Sequence, residues 1–368
     1  MRRILCLAVS MLLLCGCMDT VQLNERAIVQ AIGVDQRDGE LLLSMQVFEP
    51  YGGAEAAGGK TSCRVVQVSG ETMSEALQNA ALKQGKEVFY GHNKLIVIGR
   101  GLAREGMEEV IRFFNTDRQS RPNVDMMMAD GEAADIISAE LGGSMLPVLT
   151  AQMMLENYKT SGGLIRARVR DLAETLENPS VDAFLPVVRL GGDDPENPMI
   201  EVSATAVLRQ SSLAGELTPE ETRGLLWLRG DVKRTQISLK GEDGVSLMAK
   251  ESSLRIRPWV RDGQTFFSVY LRVQSTVEEP LGNRESVHLE EEFQRYGAAQ
   301  SRQLEEEIRG TLQKLTRELA ADPVGFADYL AKYEPEFWSG CKDRYRELLP
   351  GLQFEIQVES DIDRAGLA

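Results

Sequence analysis

Two histidines, five cysteines and several runs of acid are the residues in this chain that could carry chemistry. His92 stands beside Gly91 just before an apolar strand pattern, and His288 opens a helical pattern. Neither has a second His or a Cys at metal-ligand spacing, so a zinc centre is not expected. Ser-His-Asp catalysis would need one of these two histidines, and no G-x-S-x-G marks a nucleophile. Gly99-Arg100-Gly101 lacks the further Gly and the Lys-Ser/Thr ending of a phosphate loop. Asp193-Asp194 and Glu290-Glu291-Glu292 read as solvated faces, and Met126-Met127-Met128 as strand core. The residues give no enzyme signal.

The cysteines say more. Arg2 and Arg3 precede an almost unbroken apolar run, Ile4 to Leu14, and then Leu14-Cys15-Gly16-Cys17. That is a secretory signal with a core too short to span a bilayer, which needs roughly 20 apolar residues. Its ending resembles the lipobox of bacterial lipoproteins. The resemblance implies cleavage after Gly16 and a diacylglycerol on the Cys17 thiol, with an N-acyl chain a further option. No other cofactor is expected. Cys63 and Cys341 each sit in an apolar pattern and are expected as buried thiols rather than a bridge.

The formal charge is −15, and −17 once Arg2 and Arg3 leave with the signal. Such a balance disfavours nucleic acid and is repelled by anionic headgroups, so attachment to a membrane falls to the lipid. Two acyl chains make it durable where one is marginal. No later segment is long and apolar enough to span.

The elements that must position these residues alternate between strand and helix periods. Ala27–Val34 and Leu41–Val47 predict a hairpin around Asp35–Gly39, with a third strand at Cys63–Val68 beyond the Gly-rich loop Tyr51–Lys60. Helices are expected at Thr72–Gln84, Gly106–Asn115, Glu132–Leu141, Val148–Lys159 and Val169–Leu176. Strands are expected at Leu95–Ile98, Val124–Ala129 and Val181–Leu190. GGDDPENP (191–198) reads as a linker. After it come a strand at Glu201–Arg209, a turn at Ser211-Ser212 and a continuation at Leu213–Leu217. Thr218-Pro219-Glu220-Glu221 then forms a capping box with Pro in the first turn. Phe267, Val269, Leu271 and Val273 alternate as a strand. PLGNRES (280–286) is a second linker, followed by a long amphipathic helix, His288–Leu319, and a helical region at 324–349 interrupted near Pro335. A final strand runs over Leu352–Val358. The fold class is α+β, with two to three domains: signal 1–16, then 17–192, 199–280 and 281–368.

Several stretches in order resemble the Ger(x)C family, the C subunits of spore germinant receptors. They are Cys17-Met18-Asp19, Glu25–Asp35, Gly91–Ile98, Phe113-Phe114 with Asp117 and Arg121–Val124, Thr205–Leu213, Glu220–Gly230 and Val358–Leu367. Met18 stands where the family often has an aromatic. The resemblance implies three α+β domains without known catalysis and a lipoprotein of the spore inner membrane. It also implies assembly with a membrane-spanning A subunit and a multi-spanning B subunit to trigger germination in response to nutrients. Gly91, His92, Asp117 and Arg121 fall in these blocks at polar turns, as structural turn residues or partner contacts. A lipid-anchored solute-binding protein of a transporter is the alternative function. A cell-envelope hydrolase would have to work through His92 or His288.

Overall fold

The computed structural model describes residues 25–49, 62–141, 146–156, 162–194, 197–240, 245–279 and 289–363. Cys17, the Tyr51–Lys60 loop, the 280–286 linker, His288 and the 364–367 ending lie outside these residues.

β1 (Arg26–Arg37) and β2 (Glu40–Glu49) form the expected hairpin. Its two-residue turn puts Asp38 at φ 55° and Gly39 at φ 87°. Both values are left-handed, which is what a tight primed turn between twisted strands requires. β3 (Ser62–Gly70) adds antiparallel to β2. α1 (Met73–Gln84) is capped by Thr72, whose hydroxyl accepts from the Glu75 amide at 3.2 Å. The chain continues through β4 (Glu87–Phe89), β5 (Leu95–Ile98), α2 (Arg100–Glu105), α3 (Glu108–Thr116), β6 (Asp125–Ala129), α4 (Ala133–Ser138), α5 (Pro147–Glu156), α6 (Val169–Glu177) and β7 (Phe184–Gly191). β4, β5, β6 and β7 all run parallel to β1. Strands covered on both faces should be apolar on both. Accordingly Met126 and Met128 face the core beneath α1, α3 and α6, while Met127 faces the one beneath α4 and α5. All three are fully buried.

The Gly191–Pro198 segment does not separate the sheets. It joins β7 to β8 (Met199–Arg209), its antiparallel neighbour, and β9 (Ser212–Leu217) closes the same sheet. The second sheet begins with β10 (Thr235–Ser238), after α7 (Pro219–Arg229). It continues with β11 (Ser246–Arg261) and β12 (Gln264–Glu279), and is completed by β13 (Gln353–Asp363), parallel to β12. The divisions expected at 199–280 and 281–368 therefore do not match the sheets. Residues 199–217 belong to the first, and the alternating apolar face of β12 needs α8 (Leu289–Gln313) and β13 for cover. Among the described residues the strands form two sheets. α8 continues as a wider helical turn over Lys314–Glu318. α9 (Phe326–Tyr333) and α10 (Pro335–Cys341) complete the layer, separated at Pro335 as expected.

α7 carries the capping box: the Thr218 hydroxyl accepts from the Glu221 amide at 3.2 Å and Glu221 accepts from the Thr218 amide at 2.8 Å. Thr218→Ala is expected to cost about 1 kcal/mol, the usual value of a lost N-cap, read as a lower urea midpoint with unchanged slope.

Cys63 is half-buried on β3 rather than buried, because β3 is the edge strand of its sheet. Cys341 is buried, and no disulfide joins the two. No described helix is long and apolar enough to cross a membrane.

Candidate functional site

The turn before β5 and the turn before β6 pack on each other. The Tyr90 hydroxyl donates to Asp117 Oδ1 at 2.8 Å, and the same oxygen accepts from the Gln119 amide at 2.8 Å. Burial first, and then the Asp117 carboxylate, push the Tyr90 hydroxyl far above its ordinary range, so it stays a donor. Gly91 fits the gap because a Cβ there would come within 2.8 Å of the Phe89 ring and 3.2 Å of the Gln119 carbonyl. Gly91 and Asp117 therefore shape the turns. His92 and Arg121 face solvent from them, His92 edge-on to Phe89 with ring centroids 5.5 Å apart. All four predicted residues thus lie at one end of the first sheet, two structural and two presented outward.

At the other end, Gly99 is bare because the Asp35 carboxylate fills the space a Cβ would occupy. Asp35 accepts from the amides of Ala133 at 2.7 Å and Ala134 at 2.9 Å, capping α4 from a distant strand. Burial, the largest influence, raises its carboxyl above the ordinary value. The Gly99-Arg100-Gly101 stretch thus serves packing. It also opens α2, a short helix that the sequence pattern does not announce, where Leu102 and Ala103 are buried.

A second cluster joins the two sheets. Asp182, just before β7, accepts both arms of Arg346, at 2.7 and 2.9 Å. It also accepts from the amides of Gln210 at 3.2 Å and Asp322 at 2.8 Å. Asp322 in turn caps α9. It accepts from the amides of Gly325, Phe326 and Ala327 at 2.8 to 3.0 Å, and from the Tyr345 hydroxyl at 2.7 Å. Both carboxylates are 1% exposed, so each survives burial only through these donors. Burial holds the Tyr345 hydroxyl well above its ordinary range and keeps it a donor. Sequence reasoning missed this network: Asp182 and Arg346 are 164 residues apart.

Beside it lies a cleft of about 460 Å³ between the two sheets, lined by Arg166, Asp171, Phe184, Arg229, Asp231 and Asp328 among others. Its main cations are paired. Arg229 stacks on Phe184 at 4.8 Å, donates to Asp231 at 3.0 Å and to the Pro323 carbonyl at 2.8 Å. Arg166 makes a two-pronged contact with Asp125 at 2.7 and 2.8 Å. Among the described residues no group of His, Cys, Asp and Glu could hold a metal.

Two family models cover this architecture. Residues 19–190 match the spore germination protein N-terminal domain, and residues 203–366 match the spore germination B3/GerAC-like C-terminal domain. Spore germination protein KC of Bacillus subtilis is 27% identical, over 97% of this chain and 94% of its own. Spore germination protein B3 of the same organism is 22% identical, over 97% and 96%. The crystal structure of the GerBC protein superposes with a TM-score of 0.60 at 19% identity, covering 94% of this chain and 99% of the other, a likeness of fold.

Proposed function

The chain belongs to the spore germination GerAC family, and on that premise we propose that it is a non-catalytic lipoprotein subunit of a nutrient germinant receptor. The observation that carries this is extent. The two family models together span residues 19–366 but for a short interval, and the relatives align end to end. The transporter solute-binding alternative falls away, since the proteins that align along the whole chain are spore germination proteins. The subunit works by interaction, with membrane A and B subunits as its partners. A diacylglycerol on Cys17 confines it to the plane of the inner spore membrane and raises its effective concentration toward them. β1 begins only nine residues after Cys17, a covalent reach of about 30 Å, so the first sheet stays at the bilayer.

Deleting the gene in its spore-forming host and measuring dipicolinate release across a panel of nutrients tests the proposal. The expected result is loss of response to one nutrient set, restored by the wild-type gene and by a His92→Ala, His288→Ala double variant, but restored poorly by Cys17→Ala. An unchanged response to every nutrient, with the protein absent from the spore membrane fraction, would overturn it.

A further inference from the structure

Net charge hides an uneven distribution. β1, β4, β5, β6 and β7 are parallel, so they begin together at one end of the first sheet. The segments that gather there are Leu82–Lys94 and Asp117–Asn123, held to each other through Tyr90 and Asp117. They carry Lys83, Lys86, Lys94, Arg118 and Arg121 against two carboxylates, Glu87 and Asp117. Both carboxylates are engaged: Glu87 pairs with Arg26 at 3.3 Å, and Asp117 accepts from Tyr90. All five cations are exposed; Lys83 donates to the Gln67 carbonyl at 2.8 Å, and Lys86, Lys94, Arg118 and Arg121 are the candidates for contact. The far end carries Asp38, Glu40, Glu71, Asp130 and Glu132; Glu132 pairs with Arg37 and Asp130 with Arg100, and Asp38, Glu40 and Glu71 leave it acidic. The basic end also exposes apolar surface. Leu82, next to Lys83 in the last turn of α1, is 75% exposed, and Val65 on the neighbouring edge strand is 37% exposed.

This is the end at which the chain enters the fold, since β1 starts there at Arg26. An acidic protein with a basic, leucine-tipped pole at its point of entry is built to meet a negatively charged surface with an apolar interior. We propose that this pole lies against anionic phospholipid headgroups, with Lys86, Lys94, Arg118 and Arg121 among them and Leu82 at the acyl boundary. The far, acidic pole then points away from the bilayer. The orientation follows from local charge, where the net charge alone argued repulsion. It rests on the reading of Cys17 as the anchor only for where the chain starts, and vesicle binding by the pole does not require the acyl chain.

The test uses the processed chain, residues 17–368, carrying Cys17→Ser so that no lipid contributes. Flotation with vesicles of equimolar phosphatidylglycerol and phosphatidylcholine should carry the protein up, and vesicles of phosphatidylcholine alone should not. Binding should fade as sodium chloride rises to about 0.5 M, where screening is nearly complete beyond a few ångströms. Each cation near an anionic surface changes binding roughly fivefold. Combined Lys86→Glu, Lys94→Glu, Arg118→Glu and Arg121→Glu should therefore weaken it at least tenfold, with the thermal midpoint unchanged. Leu82→Ser should weaken it several-fold. Failure of the wild-type surface to bind anionic vesicles, or equal binding to neutral ones, would overturn the proposal. So would a charge-reversed protein that still floats but no longer co-purifies with a membrane protein, since the pole would then face protein. Mass spectrometry of the native N-terminal peptide judges the anchor separately. A Cys17 without lipid, together with retained vesicle binding, would sink the anchor and leave the pole.

Discussion

Asp322→Ala is expected to lower the free energy of unfolding by about 4 kcal/mol. Three backbone amides and the Tyr345 hydroxyl would lose their acceptor inside a fully buried site. Each buried donor left unpaired costs about 1–3 kcal/mol, and partial entry of water offsets some of the sum. α9 loses its cap in the same step. Asp322→Asn keeps one oxygen acceptor and should cost about half as much. Tyr345→Phe removes a single donor and should cost about 1 kcal/mol. Urea unfolding of the three variants orders them; an Ala variant within about 1 kcal/mol of wild type would mean that the network does not hold α9. The first sheet should feel the change as well, because the Asp322 amide donates to Asp182.

Trp227 gives the second large effect and a sharp contrast. Its ring is fully buried in the core between α7 and the second sheet, and its indole N–H has no hydrogen-bond partner among the described residues. Trp227→Ala should cost about 3–5 kcal/mol through lost burial and the cavity left behind. Trp227→Phe keeps most of the volume and removes a buried, unsatisfied donor, so it should cost less than about 1.5 kcal/mol. Equal losses for the two variants would show that the indole nitrogen is engaged after all.

What could be read from the sequence was what local chemistry decides. The β1–β2 hairpin follows from alternation around an Asp-Gly turn, and α7 from a capping box four residues long. Partner choice between strands was not legible. Gly191–Pro198 has the composition of a linker, yet it joins neighbours: β8 pairs with β7, its Ala206 and Leu208 pack into the core of the first sheet, and only Val207 between them turns to the second core. The same holds for the sites. Gly91, His92, Asp117 and Arg121 sit in two short blocks that could be noticed one at a time. The Asp182–Arg346–Asp322 network joins residues 23 to 164 positions apart, and each of its members reads locally as an ordinary surface charge. The basic pole was hidden for a related reason: a sum over the chain cannot show which end of a sheet its lysines occupy.

The parallel pairing of β12 with β13 also sets an order of events in synthesis. The first sheet has all its strands once residue 217 has emerged. The second must keep the apolar face of β12 waiting through the whole of α8 until residues 353–363 arrive. During that interval β12 offers an unpaired edge to any passing chain, a known route to aggregation. Premature termination near residue 350 would therefore spare the first sheet and leave the other open, so that the truncated product is met by chaperones and proteases before it can reach a receptor.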